Sequence, residues 1–385
     1  MILKTIGLMM ILLNSSKNNV NVLNFLKNQM IRNKSLLSQN SVLEHLHTFK
    51  QVPISMGCTP ENQTGDILID QEWDICQDTG IIQLRDPLSL ELVYKYPHND
   101  AFGTSWDTHF SKFSSFISKF NPKKVLEIGG GAGKLSSLHT NNNPSCQWVM
   151  LEPNPHGYDL NPSKNKRIKI IKEWFTNDYK VEPNTDAIVH THVFEHTYDP
   201  IDFLKMIHQK SSSNTKHIFS FPNLKESLKR YWTNCLSFEH TSFLTEEITD
   251  IILQQSGFKI LEKQYYKDHS IFYACEKSAP QDIKFPSSIY STNKTIFLNY
   301  LKHHQKDIEV LNKKIEEFDG EVFLFGGHIF SQFLISNGLN ISKTKCILDN
   351  SSLKQNNRLY GTSFVVKSPQ ILKQYKKAAI ILRAG

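Results

Sequence analysis

Short apolar runs recur through the middle of the chain, each bounded by turn-forming residues. They fall at 125–128, 147–151, 168–171, 186–190, 216–221, 258–263 and 270–276. Runs of this length between breakers read as buried strands. Between them the apolar positions shift to helical spacing. Phe110, Phe113, Phe116, Ile117 and Phe120 share one face of a helix over 107–120. Strands alternating with helices predict an α/β fold with a doubly wound sheet over 101–277. The pattern differs on either side. Residues 1–34 are rich in Asn and Lys and read as a loose helix or tail. Residues 35–100 carry Pro53, Gly57, Pro60, Gly65 and Gly80 and read as a small irregular domain. Residues 278–290 read as a linker, and 293–318 as a long helix with room for one break. Residues 321–328, 345–349 and 378–382 then predict a second, smaller α/β unit over 291–385. The chain stops at Gly385, at the tip of an apolar strand with no closing helix, so a longer form is expected.

The sharpest local signal is Glu127-Ile128-Gly129-Gly130-Gly131-Ala132-Gly133. A strand enters it and a helix leaves it, the opening of a βαβ unit. Glycines let the backbone approach a ligand closely, and the first helical turn leaves N–H groups unpaired. The spacing is Glu-x-Gly-x-Gly-x-Gly rather than the dinucleotide fingerprint. It resembles the first motif of class I S-adenosylmethionine (SAM) methyltransferases. The next strand, 147–151, ends in Glu152, placed to accept both ribose hydroxyl protons as in nucleotide-binding units.

Composition narrows the field. The net charge of +7 is spread over scattered lysines, with no basic tract interleaved with aromatics. Nucleic-acid binding is therefore not indicated. Six cysteines, at 58, 76, 146, 235, 275 and 346, form no Cys-x-x-Cys pair. That spacing suits a reduced, cytoplasmic protein. No run approaches the ~20 apolar residues of a membrane span, so no membrane partner is expected.

Chemistry concentrates after the 186–190 strand, in His190-Thr191-His192-Val193-Phe194-Glu195-His196. Ligands sit beyond the carboxyl ends of such strands, which places these residues beside the methyl donor. Histidine suits proton abstraction near neutral pH, with a carboxylate to orient it. The same residues admit two other readings, hydrogen-bonded scaffold or metal ligation by His190, His192, His196 and Glu195. Phe238-Glu239-His240-Thr241 repeats the words of 194–197, with nothing around it repeated.

Together these residues resemble the sugar C-methyltransferases of nucleotide-sugar biosynthesis, over about residues 38–385. The resemblance implies a class I SAM-methyltransferase Rossmann core, a small zinc-binding N-terminal domain and a C-terminal Rossmann-like domain. It assigns SAM to Glu127, Gly129, Gly131, Gly133 and Glu152. Glu173-Trp174-Phe175 resembles the acid–aromatic segment near adenine. Phe194-Glu195-His196 with Asp199-Pro200 resembles the motif after the fourth strand. Glu239-His240-Thr241-Ser242-Phe243 resembles a Tyr-x-Glu-His-x-Ser-Tyr signature carrying acid–base residues, and His269-Ser270 a late substrate-side motif. Phe325-Gly326-Gly327-His328, Leu348-Asp349-Asn350-Ser351, Lys354 and Gly361-Thr362 resemble the C-terminal domain.

Two departures matter. The signature tyrosine is Ser237 here, so the base falls on His240 or His196, with Glu239 beside it. The zinc knuckle is degenerate. Cys76-Gln77-Asp78-Thr79-Gly80 has Thr79 in place of the second cysteine, and Ser38 and Ser41 stand where the other pair would be. A lone thiolate does not make a four-ligand zinc site. No metal is expected there, and Trp73, Ile75, Ile81, Ile82 and Leu84 are expected to hold the segment instead. The implied activity is methyl transfer from SAM to a nucleotide-linked sugar, C-methylation favoured. O-methylation of a surface-polysaccharide sugar and a non-catalytic SAM-fold scaffold are the alternatives.

Overall fold

The computed structural model describes residues 31–38, 42–89, 92, 103–155 and 165–382. Residues 1–30 and Ser41, on which the tail and one candidate zinc position were read, lie outside them. The centre is a seven-stranded sheet. Its order is Phe258–Tyr266, Ser270–Lys277, Lys216–Pro222, Ala187–Thr191, Lys124–Ile128, Gln147–Leu151 and Ile168–Ile171. From Lys216–Pro222 to Ile168–Ile171 the pairs are parallel, and Ser270–Lys277 runs antiparallel to both its neighbours. All seven apolar runs have become strands of this one sheet. The chain builds outward from Lys124–Ile128 to one edge and then returns to build the other. A crevice follows beside the carboxyl end of that first strand, where the order reverses.

Both faces of the sheet are covered, which is why the strands read as continuous apolar runs. Helix Thr104–Ser118 lays Phe113, Phe116 and Ile117 on one face, against Val125, Trp148 and Phe272. Helices Pro200–Lys210 and Glu246–Gln255 bring Phe203, Leu204, Ile248 and Ile252 to the other. The helix Pro200–Lys210 starts where Asp199 accepts from the Asp202 N–H and Pro200 fixes the first turn. The architecture is the α/β, Rossmann-type core that the pattern predicted.

Two four-stranded sheets flank it, and Cys58–Thr59 pairs with Arg358–Leu359 in a two-stranded one. Leu43–Pro53, Leu68–Cys76, Ile82–Leu84 and Ser242–Phe243 form one, so a piece of the central region closes the N-terminal sheet. Trp73, Ile75, Ile81, Ile82 and Leu84 are all buried. The Cys76 turn keeps a knuckle shape without a second thiol. The Thr79 N–H points at Cys76 Sγ (3.4 Å), the Gly80 N–H donates to the Cys76 carbonyl (2.9 Å), and Asn293 Nδ2 donates to the Gly80 carbonyl (2.9 Å). Ser38 is half-buried nearby in sequence. Arg32, read with the tail, is buried, its guanidinium donating to the Thr241 and Tyr198 carbonyls at 2.6 Å each.

Helix Ser288–Glu317 is the long helix of the sequence pattern and runs unbroken for 30 residues, starting inside the stretch 278–290 that reads as a linker. A buried stripe of Ile289, Phe297, Tyr300, Ile308 and Ile315, with Asn293 and His304 between them, spans its length. Beyond it lies a four-stranded sheet, parallel throughout, in the order Val366–Lys367, Thr344–Leu348, Glu321–Phe325 and Ala378–Ile381. The Val366–Lys367 strand escaped the sequence pattern because two residues show no period. Among the described residues, no helix is long and apolar enough to cross a membrane.

Candidate active site

The turn after Lys124–Ile128 is shaped by close approach. A Cβ on Gly130 would lie 2.3 Å from Met150 Cγ, so only glycine fits there. Gly131, at φ +51°, has nothing within 4 Å of a Cβ position and faces open space. The Gly131 N–H donates to Glu152 Oε2 (2.9 Å), and the Asn154 N–H to Oε1 (2.9 Å). Glu127 is fully buried. Trp148 Nε1 donates to its Oε2 at 2.8 Å, and its Oε1 has no hydrogen-bond partner. Burial pushes this carboxyl up to about 8, against the pull of the Trp148 bond. An orphaned carboxylate oxygen beside an open turn suits an ammonium group. The donor set thus fits SAM, with Glu127 for its amino group and Glu152 for its ribose.

A cavity of about 740 Å³ opens over this turn. That is ample for a cofactor with part of a second ligand. Glu127, Gly129, Gly131, Glu152, Glu173 and Trp174 line one side, which brings the sequence-read cofactor residues to one place, and Gly133 caps the helix that follows. Trp232, Asn234, Cys235, Glu239, His240 and His328 line another. His328 caps helix Ile329–Ser336, which follows strand Glu321–Phe325 of the C-terminal unit, so two units wall the same space. His192, His196 and His269 stand between.

The histidines divide into two kinds. His190 is fully buried, its Nε2 2.9 Å from His217 Nε2 and its ring stacked 5.0 Å from Phe219. Burial holds both rings well below their ordinary range, with His217 at about 3. His190 therefore belongs to the scaffold, which corrects its placement beside the methyl donor and removes it from any ligand set with His192 and His196. Still within the strand, His190 lies under helix Pro200–Lys210, its ring 5.3 Å from that of Phe203.

His192 follows at φ +52°, a left-handed conformation that costs a non-glycine residue about 1 kcal/mol or more. The strain turns its ring into the cavity, against Trp106 at 4.8 Å. The Phe194–His196 turn then buries Glu195 and presents His196. His196 and His240 meet ring to edge at 5.0 Å. His240 Nδ1 donates to the Cys235 carbonyl at 2.9 Å. A carbonyl only accepts, so Nδ1 carries the hydrogen and Nε2 keeps its lone pair. Ser237, at the signature tyrosine's position, does not reach the cavity; it is buried against Leu236 and Phe238, beside Phe49 and Phe333. Trp106 was missed in the sequence because it sits one turn before the helical stripe, and His328 because its unit lies more than a hundred residues further on.

Residues 106–263 match the model of a family described as a methyltransferase domain. The protein is an enzyme of the SAM-dependent methyltransferase class, and SAM is its cofactor. Three solved structures show partial likeness. The 1,6-didemethyltoxoflavin-N1-methyltransferase of Burkholderia thailandensis is 12% identical, with a TM-score of 0.37 over 45% of this chain and 80% of that one. Human N-acetylserotonin methyltransferase is 14% identical, TM-score 0.38, over 45% and 53%, so the match spans about half of that protein. The PH0226 protein of Pyrococcus horikoshii OT3 is 13% identical, TM-score 0.41, over 49% and 100%. No curated protein matches the chain.

Proposed function

We propose that the protein transfers a methyl group to an activated, nucleotide-linked sugar, with C-methylation favoured and His240 as base. One observation carries the reading. His240, its Nδ1 hydrogen fixed by the Cys235 carbonyl and its Nε2 lone pair left free of that bond, lines the same cavity as the glycine turn. SAM, when bound, supplies an electrophilic methyl group. The chain's own residues do the rest. His240 takes the proton from the acceptor carbon or hydroxyl, Glu239 and His196 flank it, and the walls hold the acceptor in orientation. The cavity's volume of about 740 Å³ supports an acceptor larger than a bare sugar beside the cofactor. The division into a degenerate zinc-ribbon-like segment at 35–100, a methyltransferase domain at 101–277 and a Rossmann-like unit at 291–385 belongs to the same proposal. So do a cytoplasmic setting, a role in polysaccharide biosynthesis, and folding without metal.

Incubation with labelled SAM and a panel of nucleotide sugars tests the function. Label in a nucleotide sugar supports it; label only in other small molecules overturns the substrate class. Elemental analysis is expected to find no stoichiometric zinc, and one zinc per chain would overturn the reading of 35–100.

A further inference from the structure

Behind the two facing histidines stands a carboxylate that the reaction as described does not use. Glu195 is wholly buried, and neither of its oxygens closes a hydrogen bond. His192 Nδ1 lies 3.2 Å from Oε1 and His196 Nε2 lies 3.8 Å from the same oxygen. Donor atoms of Glu195, His196 and His240 fall within 4.8 Å of one another. The fold does not keep a lone carboxylate charged in such a place without a cation against it. Burial works to raise this carboxyl, but His192, His196 and His240 outweigh it and bring it to about 2. Among the described residues these three rings are the groups placed to balance it.

The far side of His192 accommodates a ring protonated on both nitrogens. His192 Nε2 lies 3.0 Å from Ser270 Oγ, and Ser270 Oγ lies 2.6 Å from His269 Nδ1. One hydroxyl hydrogen serves two ring nitrogens. Either Ser270 donates to His269 and accepts from His192, or the reverse. Both satisfy the hydrogen bonds, and only the first leaves a positive ring against Glu195. The other groups around His192 do not supply that charge. His109 from helix Thr104–Ser118 is buried and held low, at about 2. His269 is held at about 3 by burial, by His192 and by Lys267.

We propose that Glu195 is a positioning residue for methyl transfer: it anchors His192 as a ring protonated on both nitrogens and gathers His196 and His240 around one buried negative charge. The inference rests on the reading of His240 as base. When the acceptor's C–H or O–H bond breaks, the proton goes to His240 Nε2 and the electron pair stays on the atom that takes the methyl group. The wall then holds two positive rings, and Glu195 faces both. The left-handed backbone of His192 is the distortion that brings its Nδ1 onto the carboxylate.

Nuclear magnetic resonance of the full chain with ¹⁵N-labelled histidine tests this without turnover. At pH 7 the wild-type protein is expected to show both nitrogens of His192 protonated, and Glu195→Gln to return His192 to a neutral ring. A neutral His192 in the wild-type protein overturns the proposal, whatever the variant does. In steady-state kinetics, Glu195→Gln should lower kcat by about 10–100-fold, the scale of a lost proton-transfer arrangement. The KM for SAM should stay within about twofold and the pH–rate profile should move, with Glu195→Asp recovering part of kcat. An unmoved profile, or turnover lost only in proportion to folded protein, overturns the positioning role. So does activity that a chelator abolishes together with release of a bound metal ion. Should the wild-type protein methylate no nucleotide sugar, the function proposed above fails, while the resonance experiment still decides the state of Glu195 and His192.

Discussion

The molecule builds one device twice and leaves only one copy open. In both copies a parallel strand runs into glycines, and a neighbouring strand ends in an acid. The Gly129 N–H donates to the Leu151 carbonyl at 2.8 Å, and the Gly326 N–H donates to that of Leu348 at 2.7 Å. The Gly131 N–H donates to Glu152 and the Gly327 N–H to Asp349, at 2.9 Å each. The difference lies above the turns. Gly131 and Gly326 each face open space, but the large cavity takes in Gly129 to Ala132 of the first turn, whereas at the second a Cβ on Gly327 would lie 2.9 Å from Cys58 Sγ and 3.1 Å from Val366. The Cys58 thiol donates to the Gly327 carbonyl at 3.3 Å, and burial keeps it up at about 11. Asp349 is further occupied by Lys354 at 3.3 Å and the Ser351 N–H at 2.9 Å. A glycine turn and an acid therefore define a site only where the fold leaves their volume and charge unspent.

The largest expected effect asks which turn works. His240 faces the open turn and His328 caps the helix after the closed one. His240→Ala should lower turnover by about 100-fold or more, the scale of a lost general base, with SAM affinity nearly unchanged. His196→Ala should reduce both, and His328→Ala neither strongly. Steady-state kinetics with SAM titration decides, and near-normal turnover in the His240 variant removes it as base. Next come the acids. Glu152→Ala should weaken SAM binding by about 1–3 kcal/mol, while Asp349→Ala should leave it unchanged and lower stability instead. Calorimetry giving the reverse order would exchange the roles of the two turns.

Acid should also separate the regions. The sheet under the open turn contains His190 and His217, held below the ordinary 6.5 by burial. The sheet under the closed turn is apolar at Val322, Phe323, Leu324, Ile347 and Leu348. Below about pH 6.5 the unfolded chain takes up protons that these native histidines refuse. Stability is therefore full above that pH and falls toward about pH 3, by about 1.4 kcal/mol per pH unit for each ring. Hydrogen exchange should show the central sheet losing protection between pH 7 and pH 5 before the C-terminal one; His217→Phe should blunt the loss, and equal acid sensitivity in that variant would refute the account. The smallest effect belongs to Cys58→Ala. It should cost about 1 kcal/mol as a small cavity and create no second adenosine site, as equilibrium dialysis would show.

Much of this was legible. The seven strands announced themselves because a sheet covered on both faces needs apolar residues at every position, and the spacing from Glu127 to Glu152, fixed by one turn, marked residues that line one cavity. What stayed hidden depends on contacts distant in sequence. His190 and His192 look alike in the sequence, and only the end of the strand at Thr191 and the φ of +52° at His192 leave one inside and turn the other to the cavity. The twin words at 194–197 and 238–241 gave no hint that His196 and His240 would meet at 5.0 Å. Two-residue strands such as Ser242–Phe243 exist through their partners alone.

Helix Ser288–Glu317 has a consequence for the order in which the molecule can be made. Its Asn293 holds the Gly80 turn from 213 positions away, and Tyr290 hydrogen-bonds Glu44. During synthesis at about 5–20 residues per second, the N-terminal sheet waits tens of seconds for that helix to emerge. Until then Trp73, Ile75 and Ile82 lack part of their cover. The early sheet is thus the late folder, a stretch for chaperones to shield and proteases to find, even though the ribosome releases it first.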